Sequence, residues 1–353
     1  MIETCGWSLP ARYNDTVFDS CIHTRSSASL FDISHVGQLE FFGPDRETFV
    51  ESITTSDVKA LKPGEGELSL ITNDGGGIID DAIVTKTAKS VQLVFHARKS
   101  DLQALLERKE SFKGKVDLVN HTNRSFIALQ GPKSAIVLQK LVDSGDITKV
   151  PFMAMIETSL LGVEGCWISR SGYTGEDGFE ISIPTDDGTV RIAEALLNDP
   201  NVRLSGLESR DILRIEAGLC SYGREISQSM SPVEAGLSWT ISGRRKQEGG
   251  FPGAHIVLKQ LREGVERKRV GLILPENTKV QHDHSLYESI DATYPVGIIT
   301  SGTYSPTLKK TIAMAYIASN QNKPGKAIYA AVWGSILPTT VTKLPFIKTN
   351  YYH

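Results

Sequence analysis

Cys166-Trp167-Ile168-Ser169-Arg170-Ser171-Gly172-Tyr173-Thr174-Gly175-Glu176-Asp177-Gly178-Phe179-Glu180-Ile181-Ser182-Ile183 reads as two strand-forming runs around a turn rich in glycine. Successive side chains of a strand face opposite ways, so Phe179, Ile181 and Ile183 line one face and Glu180 and Ser182 the other. A carboxylate fixed on the polar face just beyond a glycine-rich turn suits recognition of a flat, polar heterocycle. The same pattern also fits a surface hairpin with a solvated Glu180.

A second hairpin lies upstream, in Asn73-Asp74-Gly75-Gly76-Gly77-Ile78-Ile79-Asp80-Asp81-Ala82-Ile83-Val84. Residues 68–72 and 78–85 predict strands, and the Asn-Asp-Gly run a tight turn between them. Adjacent carboxylates within an apolar strand are unusual, because a buried charge needs a partner or a shifted pKa. Their side chains point to opposite faces, so one can meet a pocket while the other meets solvent or a cation. Parity leaves the choice open: Asp81 shares a face with Ile79 and Ile83, and Asp80 with Ile78, Ala82 and Val84. An acid pair that merely ends an edge strand fits equally well.

Residues 207–219 predict a helix, with Ile212, Ile215 and Leu219 at helical spacing and Gly218 at its end. Arg210 and Arg214 sit four apart on it and share a face. They could clamp a carboxylate or pair with Asp211 and solvent acids, and spacing favours the solvated face. The Ser/Pro/Gly segments 231–239 and 301–310 read as turns with little chemistry of their own.

Taken in order, these segments resemble the folate-binding aminomethyltransferase family, that of the glycine cleavage T-protein. The likeness begins with Gly6-Trp7-Ser8-Leu9-Pro10 and Leu30-Phe31-Asp32-Ile33-Ser34-His35, and continues through Leu129-Gln130-Gly131-Pro132. It then takes in Gly172-Tyr173-Thr174-Gly175-Glu176-Asp177-Gly178, Arg210-Asp211 and Asn350-Tyr351-Tyr352. The resemblance implies an α+β, three-lobed cloverleaf around a central folate channel, its first two lobes interleaved in sequence. On that basis residues 1–242 are expected to form the folate-binding aminomethyltransferase domain and 254–353 a small C-terminal β-barrel, with 243–253 as a loop between them.

The resemblance also implies the reaction. A lipoylated H-protein presents an aminomethyl group on sulfur, and its one-carbon unit passes to tetrahydrofolate with release of ammonia. The catalytic acid of the family falls on Asp81 and its pterin-binding carboxylate on Glu180. Arg210, Tyr173 and Tyr351 fall on substrate- or folate-binding positions. Tetrahydrofolate is then a co-substrate, and no metal is implied. Alternatives within the same fold are a demethylase-type paralogue with another one-carbon donor and a non-enzymatic folate-binding relative in iron–sulfur assembly. The latter carries Lys-Gly-Cys-Tyr-x-Gly-Gln-Glu where this chain has Gly-Tyr-Thr-Gly-Glu-Asp-Gly.

Departures from the family pattern are also present. Val36 stands where Met is usual, smaller and stiffer and covering less of a pterin face. His96-Ala97 stands where Asn-Ala is usual, so an amide becomes an imidazole. The chain starts close to Gly6-Trp7, without the roughly two dozen residues that usually precede it, and an edge element of the first lobe is expected to be missing.

Composition adds limits. A chain of 353 residues, 40% hydrophobic, can bury a large core and divide into two or three packed lobes. A net charge of -3 without a basic block argues against a nucleic-acid groove, and no apolar run approaches membrane-spanning length. Cys5, Cys21, Cys166 and Cys220 show no Cys-x-x-Cys spacing, which predicts reduced thiols. His282 and His284 have the spacing of a metal pair but lack a nearby cysteine or third ligand. By resemblance to eukaryotic versions, the expected compartment is the mitochondrial matrix.

Overall fold

The computed structural model describes residues 1–4, 6–96 and 98–352, with the side chains of Thr4 and Lys99 left aside; Cys5 and Ala97, both singled out above, lie outside the described residues. The first two lobes are two antiparallel sheets threaded through one another. Strand Ala28–Asp32 enters a six-stranded sheet, and the chain then leaves to build a five-stranded sheet from Gly37–Phe42, Gly66–Thr72, Ile78–Lys86, Val91–Phe95 and Asp117–Asn120. It returns with Ser125–Gln130, which pairs with Ala28–Asp32 on one side and Gly178–Ile183 on the other. Strand Val202–Leu204 closes the sheet edge in parallel. The expected interleaving follows from this excursion.

The third lobe is a closed six-stranded barrel. Strand Arg267–Leu274 pairs with both Lys310–Ala318 and Ser335–Thr342, so no edge remains there. Its interior holds Leu272, Ile299, Ala313, Ala315 and Ile317. Each sheet has a core of its own. Phe179, Ile181 and Ile183 bury together in the six-stranded lobe, on the face that alternation assigned them.

Alternation is interrupted in strand Ile78–Lys86. Its pairing with Gly66–Thr72 shifts between Ile71, opposite Asp80, and Thr72, opposite Ile78, so Ile79 is bulged out of register. The face sharing expected from parity therefore fails N-terminal to the acids. Ile79 joins the core of Ala82 and Val84, while Ile78 packs with Leu70 and Cys220. Beyond the bulge parity holds, and Asp80 and Asp81 face opposite ways.

Helix Leu207–Glu216 joins the lobes. It stops where Gly218 takes φ +66°, and there the Leu219 amide donates to the Arg214 carbonyl. Residues 243–253 are not simply a loop. Helix Gly243–Glu248 occupies part of the segment, capped by Ser242 Oγ, which accepts from the Arg245 amide. Its two arginines reach back to the five-stranded lobe: Arg244 meets Asp57 at 2.6 Å, and Arg245 Nη2 donates to the Glu51 carbonyl at 2.5 Å. Cys21, Cys166 and Cys220 are buried free thiols. Among the described residues no helix is long and apolar enough to cross a membrane.

Candidate active site

The three lobes enclose a cavity of about 1010 Å³. Such a volume accommodates a drug-sized ligand. Its walls bring together all five residues expected from the sequence: Asp81, Tyr173, Glu180, Arg210 and Tyr351. They come from four separate stretches of chain: strand Ile78–Lys86, the hairpin of residues 166–183 that carries both Tyr173 and Glu180, helix Leu207–Glu216 and the C-terminal segment.

Asp81 lines the cavity, whereas Asp80 is fully buried on the opposite side of the strand. Asp80 is held by two amides: Asp81 N donates to its Oδ1 and His96 N to its Oδ2, both at 3.1 Å. Burial raises both carboxyls above the ordinary carboxylate range. Asp80 rises further, to about 8, because the charges of Asp81 and Asp101 add to its desolvation.

Glu180 sits across the strand from Phe179 and faces the same space. Ser171 Oγ donates to its Oε2 at 2.8 Å, and Arg210 Nη2 lies 3.8 Å from its Oε1, beyond hydrogen-bonding distance. Arg210 Nη1 is buried with no hydrogen-bond partner among the described residues. A guanidinium with an idle buried donor, beside a carboxylate with acceptor capacity to spare, is a polar pair built for a third party. The Arg210 guanidinium lies 5.0 Å from the centre of the Tyr173 ring, whose hydroxyl donates to the Cys220 carbonyl. Tyr351 stacks on Phe152 at 4.3 Å, in a C-terminal segment tied down where Asn350 N donates to the Gly175 carbonyl.

The solvated-face reading of the two arginines is overturned. Arg210 turns into the cavity, and Arg214 is fully buried, pairing with Glu225 at 2.6 Å and Asp211 at 2.8 Å and donating to Ser301 Oγ at 2.8 Å. Spacing on one helix could not reveal that Glu225 and the barrel's Ser301 wait at this position. Segment 301–310, with little chemistry of its own, is where the barrel docks. Thr307 Oγ1 donates to Glu216 Oε2 at 3.0 Å, and the same carboxylate pairs with Arg25 at 2.7 Å.

Val36 and His96 both line the cavity, as does His35. The His35 and His96 rings meet edge to face at 5.9 Å. Burial, together with the nearby Arg210 charge, pushes His35 down to about 3, so it stays a neutral imidazole. Phe152, Ser171, Tyr222 and the exposed Trp239 also line the cavity and were not singled out from the sequence. Ser171 alone had a signal, since it faces Glu180 from the same hairpin. His282 and His284 are occupied within the barrel: His282 Nδ1 lies 2.9 Å from the Thr300 carbonyl, and His284 Nδ1 accepts from Gln281 N at 3.2 Å.

Comparison with known proteins agrees with this architecture. Residues 1–245 match the family model described as the GCVT N-terminal domain, and residues 267–348 match the glycine cleavage T-protein C-terminal barrel domain. The chain belongs to the glycine cleavage T-protein family. It is 43% identical over 357 residues to the mitochondrial aminomethyltransferase of Mus musculus, covering 100% of this chain and 87% of that one. Against the mitochondrial aminomethyltransferase of Solanum tuberosum it is 43% identical over 362 residues, again covering 100% and 87%. The crystal structure of the glycine cleavage system aminomethyltransferase T from Bartonella henselae superposes with a TM-score of 0.92 at 33% identity, over 99% of this chain and 95% of that one. This T-protein family member is an enzyme, an aminomethyltransferase of the glycine cleavage system. The demethylase-type and non-enzymatic alternatives are not favoured.

Proposed function

We propose that the cavity binds tetrahydrofolate as acceptor and admits the aminomethylated lipoyl arm of an H-protein as donor, with Asp81 as the catalytic acid. The observation that carries this reading is the Glu180–Arg210 pair, whose idle Nη1 donor and spare acceptor capacity face a space that also contains Asp81. A reduced pterin offers adjacent amino and imino donors, which a carboxylate can accept together. Tetrahydrofolate supplies the nucleophilic nitrogen that takes the one-carbon unit.

The remaining work falls to the chain's own side chains. Glu180, steadied by Ser171, orients the heterocycle. Arg210 and Tyr173 fix its other edge, and Tyr351 with Phe152 supplies an apolar wall. Asp81 stabilises positive charge developing on the transferred carbon, from its place in the cavity wall. The reading assigns no metal, since the Asp81 carboxylate meets that charge. It places residues 1–242 as the folate-binding domain of two interleaved lobes and 254–353 as the barrel domain, and assigns the enzyme to the mitochondrial matrix, in keeping with the names of its relatives.

Glu180→Gln should weaken tetrahydrofolate binding by about 1.5–3 kcal/mol, because an amide offers one mismatched donor where two acceptors are needed. Turnover of the bound complex should change less. Calorimetric titration of both proteins is the test, and equal affinities would remove Glu180 from the pterin site.

Arg210→Lys should cost about 1.5–3 kcal/mol of folate affinity, because a compact ammonium cannot reproduce a planar fork. Its melting temperature should barely move, since Arg210 lies 3.8 Å from Glu180 without a hydrogen bond to it and a lysine ammonium keeps the charge of that ion pair. A large fall in melting with normal affinity would make Arg210 a structural residue instead.

A further inference from the structure

One guanidinium beside the acid pair has no part in the reading above. Arg98 Nη2 donates to the carbonyl of Ile79, the bulged residue just before Asp80-Asp81, at 2.6 Å. Its Nε donates at 2.6 Å to Oδ2 of Asp101, a buried acid in the first turn of helix Lys99–Ser111. Its plane covers the Tyr222 ring at 3.1 Å, and Tyr222 lines the cavity. A single side chain therefore ties the bulge, the next helix and the cavity wall together behind the two acids.

We propose that Arg98 is the positioning residue of the acid pair: its fork holds the bulge that aims Asp81 into the cavity, and it sets a fixed positive charge behind the two acids. The proposal rests on the reading of Asp81 as the catalytic acid. The groups packed around Asp81 leave little else to do this. Asp80, on the same strand, and Asp101, on the helix, are acids, and Asp101 acts on Asp80 in opposition to Arg98. Tyr173 and Cys220 face Asp81 from the hairpin turn and from the segment after helix Leu207–Glu216. Burial pushes both of them up, so neither carries charge at neutral pH. Arg98 is the cation that bears on both Asp80 and Asp81, lowering each against its desolvation.

The sign follows directly. A lost positive charge favours the protonated carboxyl, so Asp81 needs a higher pH to become active. The test is the pH dependence of kcat at saturating tetrahydrofolate for the wild-type enzyme and for Arg98→Met, Arg98→Gln, Arg98→Lys and Asp81→Asn. In Arg98→Met the acidic limb should move up by about one pH unit, an approximately tenfold loss at pH values below it that closes at alkaline pH. Arg98→Lys should keep the limb near its wild-type position, because the charge survives even where the fork is lost. Arg98→Gln, which keeps a donor for the Ile79 carbonyl but carries no charge, should move it up as Arg98→Met does, and decides the matter if Arg98→Met does not fold. An unmoved limb in Arg98→Met, or an equal shift in Arg98→Lys, or an unmoved limb in Arg98→Gln where Arg98→Met is unfolded, would overturn the proposal. Asp81→Asn keeps the two readings apart: wild-type turnover there sinks the catalytic role of Asp81, whereas an inactive Asp81→Asn beside an unmoved limb sinks only the role of Arg98.

Discussion

Asp81→Asn should lose nearly all turnover, while Asp80→Asn keeps most of it. The two acids are neighbours in sequence, yet strand geometry places Asp81 in the cavity wall and buries Asp80 behind it. An amide at position 81 preserves shape but removes the charge that favours a developing cation. That charge contributes about 2–4 kcal/mol to lowering the barrier, or roughly 30- to 900-fold in rate. Tetrahydrofolate affinity should change far less, since Glu180 and Arg210 carry recognition. At position 80 the burdens are reversed. Asp80 points away from the cavity and burial pushes its carboxyl up, so Asn leaves the cavity-facing carboxylate in place, and its cost is one mismatched donor against the His96 or Asp81 amide. That should appear as about 1–3 kcal/mol of stability rather than as lost chemistry. Single-turnover rates of both variants, with folate affinity and melting temperature alongside, check this. Equal rate losses would mean that the division of labour between the two faces is wrong.

Arg214→Met should be the most destabilising single change near the site. Arg214 and Glu225 are both fully buried, 2.6 Å apart, and Arg214 reaches the barrel through Ser301. Glu225 has further donors in Thr300 Oγ1 at 2.6 Å and the Ser221 amide at 3.0 Å; burial pushes its carboxyl up, but the Arg214 charge and these hydrogen bonds together hold it below the ordinary range. Removing the guanidinium leaves a buried carboxylate uncompensated, which costs about 3–5 kcal/mol. For a chain of this length that is a fall of roughly 4–7 °C in melting temperature. The sign with pH is fixed as well. A carboxyl depressed in the folded state contributes stability that is present above its unfolded pKa and lost as pH falls through its folded one, so wild type should lose this contribution in acid. Arg214→Met should therefore differ most from wild type near neutrality and converge on it as pH falls through the depressed folded-state pKa of Glu225. Thermal melts across pH would show the convergence; a constant offset would mean that Arg214 acts by packing alone.

Much of this arrangement was legible in the chain, and the misses have physical causes. The hairpin of residues 166–183 declared its faces through strict alternation, and Phe179, Ile181 and Ile183 are in the core while Glu180 is in the cavity. The same rule misassigned Ile78 and Ile79, because one bulged residue resets alternation and leaves no mark in composition. Asp80 and Asp81 could not be told apart for a related reason: only the packing of other strands decides which face looks inward. Arg214 looked like a solvated residue because its partners, Glu225 and Ser301, are invisible to helical spacing. Helix Gly243–Glu248 escaped notice among its flanking glycines, since what sustains it is the Ser242 cap and contacts of its arginines with Glu51 and Asp57. Tyr222 and Phe152 join the cavity through tertiary packing alone.

The most direct test of the account is folate-dependent ammonia release from an aminomethylated, lipoyl-bearing H-protein, followed together with formation of methylene-tetrahydrofolate. Ammonia and methylene-tetrahydrofolate should appear in equal amounts, release should depend on tetrahydrofolate, and Asp81→Asn should slow both by roughly 30- to 900-fold. Ammonia released at the same rate without tetrahydrofolate, or undiminished in Asp81→Asn, would contradict the account.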